Sequence, residues 1–234
     1  APPTETVVAV PNGVMASGSF RSSDGTTSGQ FEITNASGHY SLTFSHFRSD
    51  IRSGLVVSLA DSAVSAKQCG SFGASEVVLD NLLSATSVNQ AWPITSSNAA
   101  LNDPSFLQTL IVASYGDGSS TSACARPIIA VATLEWRIPE THPDLVVRDG
   151  GVANYAWGTV TMRNGQPFTY LTHQGDNWSQ IAKRFGISEA DLTWLNPIRL
   201  VEYKPRVAYV GQVLNLSPAN RGDSASRPLH PDWS

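Results

Sequence analysis

Phe168-Thr-Tyr-Leu-Thr-His-Gln-Gly-Asp-Asn-Trp-Ser-Gln-Ile-Ala-Lys-Arg-Phe-Gly-Ile-Ser188, followed by Leu192, Asn196-Pro197 and Gly211-Gln-Val-Leu-Asn-Leu-Ser217, is the stretch that decides the fold. Phe168 and Tyr170 alternate as in a short strand, which stops at Gly175-Asp176. Asn177 is placed to cap a helix, with Gln180 three residues on to complete a capping box. Trp178, Ile181, Ala182 and Phe185 then recur at i, i+3, i+4 and i+7, one apolar stripe, with Ser179, Gln180, Lys183 and Arg184 expected to face water. Gly186 ends this helix as a left-handed residue, and Ile187 folds back on its last turn. Ser188 opens a second short helix with Asp191 at N3 and Leu192 and Leu195 inward; Asn196-Pro197 is its stop. Gln212 to Leu216 reads as a closing strand, so the element order is strand, helix, helix, strand.

Working outward from these residues, the segment 167–217 resembles the LysM domain, a small α+β sugar-binding module of bacterial and plant cell surfaces. The matching residues are Tyr170, Gly175-Asp176, Ile181-Ala182, Phe185-Gly186-Ile187-Ser188, Leu192, Asn196-Pro197 and Gly211-Gln212-Val213-Leu214. Two departures stand out: Asn177-Trp178 occupies the place where the family usually has Thr-Leu, and the link from Asn196 to Gly211 is longer than usual. The resemblance implies a groove between the loop after the first strand and the loop after the second helix. Carried over, its candidate carbohydrate-binding residues are Gly175, Asp176, Asn177 and Trp178 on one side and Asn196, Pro197 and Ile198 on the other. Each has a plain structural alternative: Trp178 as core, Asp176 and Asn177 as caps, Asn196 as a loop anchor. Glycans present hydroxyl and acetamido groups around flat CH surfaces, so backbone groups of tight loops beside apolar faces suit them.

The rest of the chain reads as β structure. Of 234 residues, 41% are hydrophobic and only 15% charged, and Ser, Thr, Gly and Ala are abundant. A formal net charge of −4 with no basic stripe argues against a nucleic-acid partner. No apolar run approaches the length of a membrane span. The chain begins Ala1-Pro-Pro-Thr-Glu-Thr6, the start expected of a mature secreted protein after leader removal, or of a shortened chain. The two cysteines, Cys69 and Cys124, fit no metal motif; a disulfide is expected of a secreted chain, two buried free thiols being the alternative.

Residues 1–15 form an extended lead-in. From residue 16 to 136, short strand-like segments are separated by turn clusters: Ser17–Phe20, Gln30–Ile33 and His39–Phe44, the last two alternating, then Leu55–Leu59, Val77–Leu79, Leu110–Val112 and Ile128–Leu134. The pattern predicts an antiparallel β-sandwich. Parts of it resemble the DM13 domain, a secreted β-sandwich, in Gly18-Ser-Phe20, His39–Phe44, Gly54–Leu59 and the run from Leu82-Leu83 to Asn89-Gln90-Ala91-Trp92-Pro93-Ile94. The redox role proposed for that family is tied to a cysteine ending the penultimate strand. Here that strand reads Leu110-Ile-Val-Ala-Ser114, without a thiol. Residues 137–166 are expected to be a connector with an added strand over Tyr155–Met162; Arg163-Asn-Gly-Gln166 is a hairpin signal that aligns this strand with the module. Residues 218–234 form a polar tail.

Catalysis requires converging titratable groups. His39, His46, His142, His173 and His230 are scattered, none in a His-x-x-x-His or Glu-x-x-His pair, and no nucleophile elbow or phosphate loop is present. The expectation is a secreted, cell-wall-associated binding protein that is not an enzyme and has neither metal nor cofactor. Its partner is an N-acetylglucosamine polymer, peptidoglycan or chitin. The alternative is a structural subunit of an extracellular filament, coat or complex, in which the module contacts other protein subunits.

Overall fold

Period-two burial builds the first sheet. The computed structural model describes residues 6–51, 54–66, 69, 76–83, 91–95, 102–114, 124, 126–197 and 207–222. Its elements, in chain order, begin with β1 (Gly13–Arg21), β2 (Thr27–Ala36), β3 (His39–Ser49), β4 (Leu55–Ala60), β5 (Glu76–Leu83), β6 (Ala91–Pro93), β7 (Thr109–Ser114) and β8 (Ile128–Thr133). These make two four-stranded antiparallel sheets, ordered β1-β2-β3-β6 and β5-β4-β7-β8. In β2 every second residue, Phe31 and Ile33 among them, is buried. Aromatic rings fill that face: Phe44 lies 5.1 Å from Phe20 and 5.2 Å from Trp92, centroid to centroid.

The central strands β4 and β7 are buried along nearly their whole length, which is why Leu55-Val-Val-Ser-Leu-Ala60 and Leu110-Ile-Val-Ala113 are unbroken small and apolar runs rather than alternating ones. Ser58 interrupts that run and is fully buried. Its hydroxyl donates to Glu76 Oε2 (2.8 Å) and accepts from Arg126 Nη2 (2.9 Å), while Arg126 Nη1 reaches Glu76 at 2.7 Å. A guanidinium this deeply buried needs an opposite charge and hydrogen bonds beside it, which Glu76 and Ser58 supply to its two terminal nitrogens. Cys69 and Cys124 form a disulfide close by in sequence, and Cys69 makes an isolated bridge to Pro127.

The mainly β, antiparallel architecture matches the sequence expectation, and its strands fall on the expected short segments, with the short β6 added. Asn89 and Gln90 lie outside the described residues, as do Ile198, Leu200, Tyr203 and Pro205. One compact unit spans Ala9–Pro139; the other takes Glu140–Ser234 together with Ala1–Val8. Residues 137–166 therefore divide between them at Pro139.

In the second unit β9 (Thr159–Arg163), β10 (Gln166–Leu171), α1 (Trp178–Arg184), α2 (Glu189–Leu195) and β11 (Val213–Asn215) follow in order. The sheet order is β11-β10-β9, all antiparallel, so the added strand joins the module's own sheet through the Asn164-Gly165 hairpin. The helical stripe is buried as its period requires: Trp178, Ile181, Ala182 and Phe185 pack with Tyr170, Leu192, Leu195 and Leu214. Gly186 and Ile187 close α1 by donating to the carbonyls of Lys183 and Ala182, the paired bonds of a Schellman motif. Ser188 and Asp191 form a complete capping box on α2.

Three local expectations need correction. Asn177 caps α1 by accepting from Ser179 N and Ser179 Oγ, but no capping box with Gln180 forms, because the Asn177 N–H that Gln180 would accept from donates to Tyr155 O. Arg184 does not face water; it is 7% exposed and bonded to the segment before β9. The strand expected over Tyr155–Met162 begins only at Thr159, because Tyr155 has φ 62° and the backbone groups of residues 155–158 bond to side chains and loops instead of a ladder. Among the described residues no helix is long and apolar enough to cross a membrane.

The disulfide closes a separation of 55 residues. In the loop-entropy account such a crosslink contributes about 4 kcal/mol. The Cys69→Ser/Cys124→Ser protein is expected to lose roughly 2–4 kcal/mol from the Ala9–Pro139 unit, measured by denaturant unfolding against the oxidised parent.

Candidate functional site

The loop between β10 and α1 is a tight turn set by its own sequence. Asp176 N donates to His173 O (3.1 Å), and Gly175 sits between them at φ 86°, a left-handed value that disfavours any side chain. Asp176 is the hub. Its Oδ2 accepts from His173 N (2.7 Å) and Tyr170 Oη (2.6 Å), and its Oδ1 accepts from Trp157 N (2.8 Å). Burial first, and then the Asp176 hydrogen bond, push the Tyr170 hydroxyl well above its ordinary pKa, so it remains a donor. That hydroxyl in turn accepts from Gly158 N at 2.8 Å.

A strap formed by residues 149–158 is drawn onto this loop. Arg184 grips Asp149 with two donors, Nε to Oδ1 (2.8 Å) and Nη2 to Oδ2 (3.1 Å), and gives Nη1 to the carbonyls of Ala156 and Gly158, both at 2.9 Å. Gly150 N and Arg148 N donate to the carbonyls of Arg184 and Phe185. The strap's tip then meets the turn: Asn177 N donates to Tyr155 O (2.8 Å), and the Trp157 ring lies against Gly175, where an added Cβ would stand 2.9 Å from the ring.

The sequence-derived residues therefore divide. Gly175 and Asn177 are solvent-exposed and Asp176 is partly so, all three in one turn. Trp178 is 2% exposed inside the helical core, which removes it from any solvent-facing slot: its place on the buried stripe outweighs its place in the loop. Asn196 is buried and spent on structure; its Nδ2 donates to Leu192 O and Asn215 O, and its Oδ1 accepts from Asn215 N. Pro197 is buried beside it, and Ile198 lies outside the described residues. The two loops meet at Thr172, whose N–H donates to Gln212 O (2.9 Å), whose carbonyl accepts from Gly211 N (3.0 Å) and whose hydroxyl accepts from Gln212 N (2.8 Å).

Sequence reasoning missed Tyr155 and Trp157. Both are exposed, 57% and 40%, with ring centroids 5.3 Å apart, and Trp157 meets the His173 ring edge-on at 6.2 Å. The available signal was an aromatic pair two residues apart, followed by Gly158, in a segment with too few apolar partners to form a strand core.

A three-stranded antiparallel sheet with two short capped helices in strand-helix-helix-strand order, carrying a rigid exposed turn, defines a small α+β binding module. Residues 170–217 are matched by the family model of the LysM domain. The family is one of binding modules rather than catalytic ones, and the match suggests binding of glycans that contain N-acetylglucosamine. No curated protein and no solved structure matches the chain.

Two outcomes follow from this geometry. The Arg184 hydrogen bonds hold the Asp149 carboxyl below the usual carboxylate range, so the pair's contribution is present above an ordinary pKa of about 4 and is lost as pH falls through the lowered folded value. Asp149→Asn is expected to cost about 1–3 kcal/mol near neutrality, with the deficit shrinking in acid; hydrogen exchange at the α1 core amides at the two pH values measures it. Gly175→Ala is expected to cost about 1–2 kcal/mol from the left-handed backbone alone and to swing the Trp157 ring away, seen as a shift of its indole N–H resonance.

Proposed function

We propose that this protein is a secreted, non-catalytic cell-surface protein whose LysM-like module binds an N-acetylglucosamine polysaccharide, peptidoglycan or chitin. The observation that carries this reading is the family match over 170–217, which includes the turn His173–Asn177. Three features of that turn support it. The turn is exposed, it is held by Asp176, and the Asp176 carboxylate is already taken up by three internal hydrogen bonds, so a saccharide would meet fixed backbone groups and the neighbouring aromatic faces. The disulfide accords with an oxidising compartment.

A second reading has its own observation. Asn196 and Asp176, two of the three polar side chains expected at the groove, are committed to the fold. A module used as a structural contact within an extracellular assembly needs no free polar groups there, so this favours the architectural role. Sedimentation of the purified protein with insoluble peptidoglycan and with chitin separates the two. The glycan-binding reading expects retention on at least one polymer and release by soluble N-acetylglucosamine oligomers. Passage through both, with self-association in size-exclusion chromatography, would replace it by the assembly role.

A further inference from the structure

We propose that Tyr155 and Trp157 form a stacking platform for a pyranose ring of the bound glycan, beside the His173–Asn177 turn and upstream of the segment the LysM model matches. The inference rests on the glycan-binding reading and deepens it by adding a subsite that strand, helix, helix and strand do not contain.

Exposure is the first observation. Soluble proteins seldom leave two adjacent large aromatic rings in water, and here the 57% and 40% exposed pair lies on a fixed framework. Fixation is the second. Tyr155 O is bonded to Asn177 N, Trp157 N to Asp176, Ala156 O and Gly158 O to Arg184, and Gly158 N to the Tyr170 hydroxyl. Every residue from 155 to 158 is thus anchored through its backbone. Tyr155 is held at φ 62°, a conformation that costs energy in a non-glycine residue and persists only where the surroundings impose it. Aromatic residues held in this way lose little freedom on binding.

Position and chemistry choose the occupant. The Trp157 ring touches Gly175, so the aromatic surface is continuous with the turn expected to form one wall of the sugar groove. Tyr155 and Trp157 are uncharged and the Asp176 carboxylate is already accepting three hydrogen bonds. A membrane surface would call for basic residues at the patch. A neutral polymer of N-acetylated sugars instead offers flat CH faces that stack on indole and phenol rings, with hydroxyl and acetamido groups directed to the adjoining backbone. His173, edge-on to Trp157, borders the same surface.

The test titrates the full chain with N-acetylglucosamine oligomers of increasing length by calorimetry, and follows the Trp157 indole N–H signal by NMR. The parent protein is expected to bind, with the Trp157 indole signal shifting on titration. Tyr155→Ala and Trp157→Ala are each expected to weaken binding about tenfold, and Trp157→Phe to retain most of it. Because Trp157→Ala also removes contacts to Gly175, Tyr155→Ala and the indole signal of the unsubstituted protein decide the matter if that variant fails to fold. Parent-like affinity in Tyr155→Ala with an unmoved Trp157 signal, while the parent binds, would overturn the platform and leave the glycan-binding reading intact. Absence of binding by the parent to every oligomer and to both polymers would overturn that reading and the platform together.

Discussion

The buried guanidinium of Arg184 is the constraint on which the C-terminal unit is built. A cation at the end of a short helix, 7% exposed, has to have its donors matched inside the protein. Asp149 takes two of them, and the carbonyls of Ala156 and Gly158 take another group. Asp149 stands seven positions before Ala156 and nine before Gly158, so satisfying one side chain fixes the course of the whole strap. Once Gly158 is held there, its amide meets the Tyr170 hydroxyl, Trp157 meets Asp176 and Tyr155 meets Asn177. One ion pair, between the buried Arg184 and the more exposed Asp149, thereby sets the shape of an exposed surface.

That surface has an unusual division of labour. In many ligand sites polar side chains face the ligand and the backbone supports them. Here Asp176 and Asn196 look inward and hold loops, while Gly175, Asn177, Tyr155 and Trp157 face solvent. Recognition by such a surface would rest on backbone dipoles in a rigid turn and on ring faces, both of which cost little entropy to present. Rigidity comes from the Asp176 hub, whose three bonds tie the end of β10, the turn and the strap to one carboxylate. The protonated Tyr170 phenol relays that anchoring to the strap, as donor to Asp176 and acceptor from Gly158.

Most of the module could be read directly from residue order. The stripe Trp178, Ile181, Ala182, Phe185 and the pairs Gly186-Ile187 and Ser188–Asp191 are local signals, each decided within one or two helical turns, and each appears as its chemistry requires. The β strands before residue 136 were legible for the same reason, since alternation in β2 and β3 and the short apolar runs of β4 and β7 need only neighbours in sequence. What escaped was non-local. Arg184 looks like a solvent-facing helix residue until Asp149, 35 residues earlier, is brought beside it. Tyr155 and Trp157 mimic strand alternation, and only the bonds to Asn177, Asp176 and Arg184 reveal a strap. Trp178 carried two signals at once, a loop position by family resemblance and a core position by period, and the period prevailed. Nor does composition announce that Ser58, Glu76 and Arg126 meet inside the first unit, since they are distant in sequence and two of them are charged.

The measurement that bears most directly on the account is a crystal structure of the protein grown with a soluble N-acetylglucosamine oligomer. The account predicts sugar rings seated against the His173–Asn177 turn, with backbone groups of that turn bonded to the acetamido or hydroxyl groups. An oligomer bound elsewhere, leaving the turn and the Tyr155–Trp157 surface bare in a lattice where both are open to solvent, would contradict it.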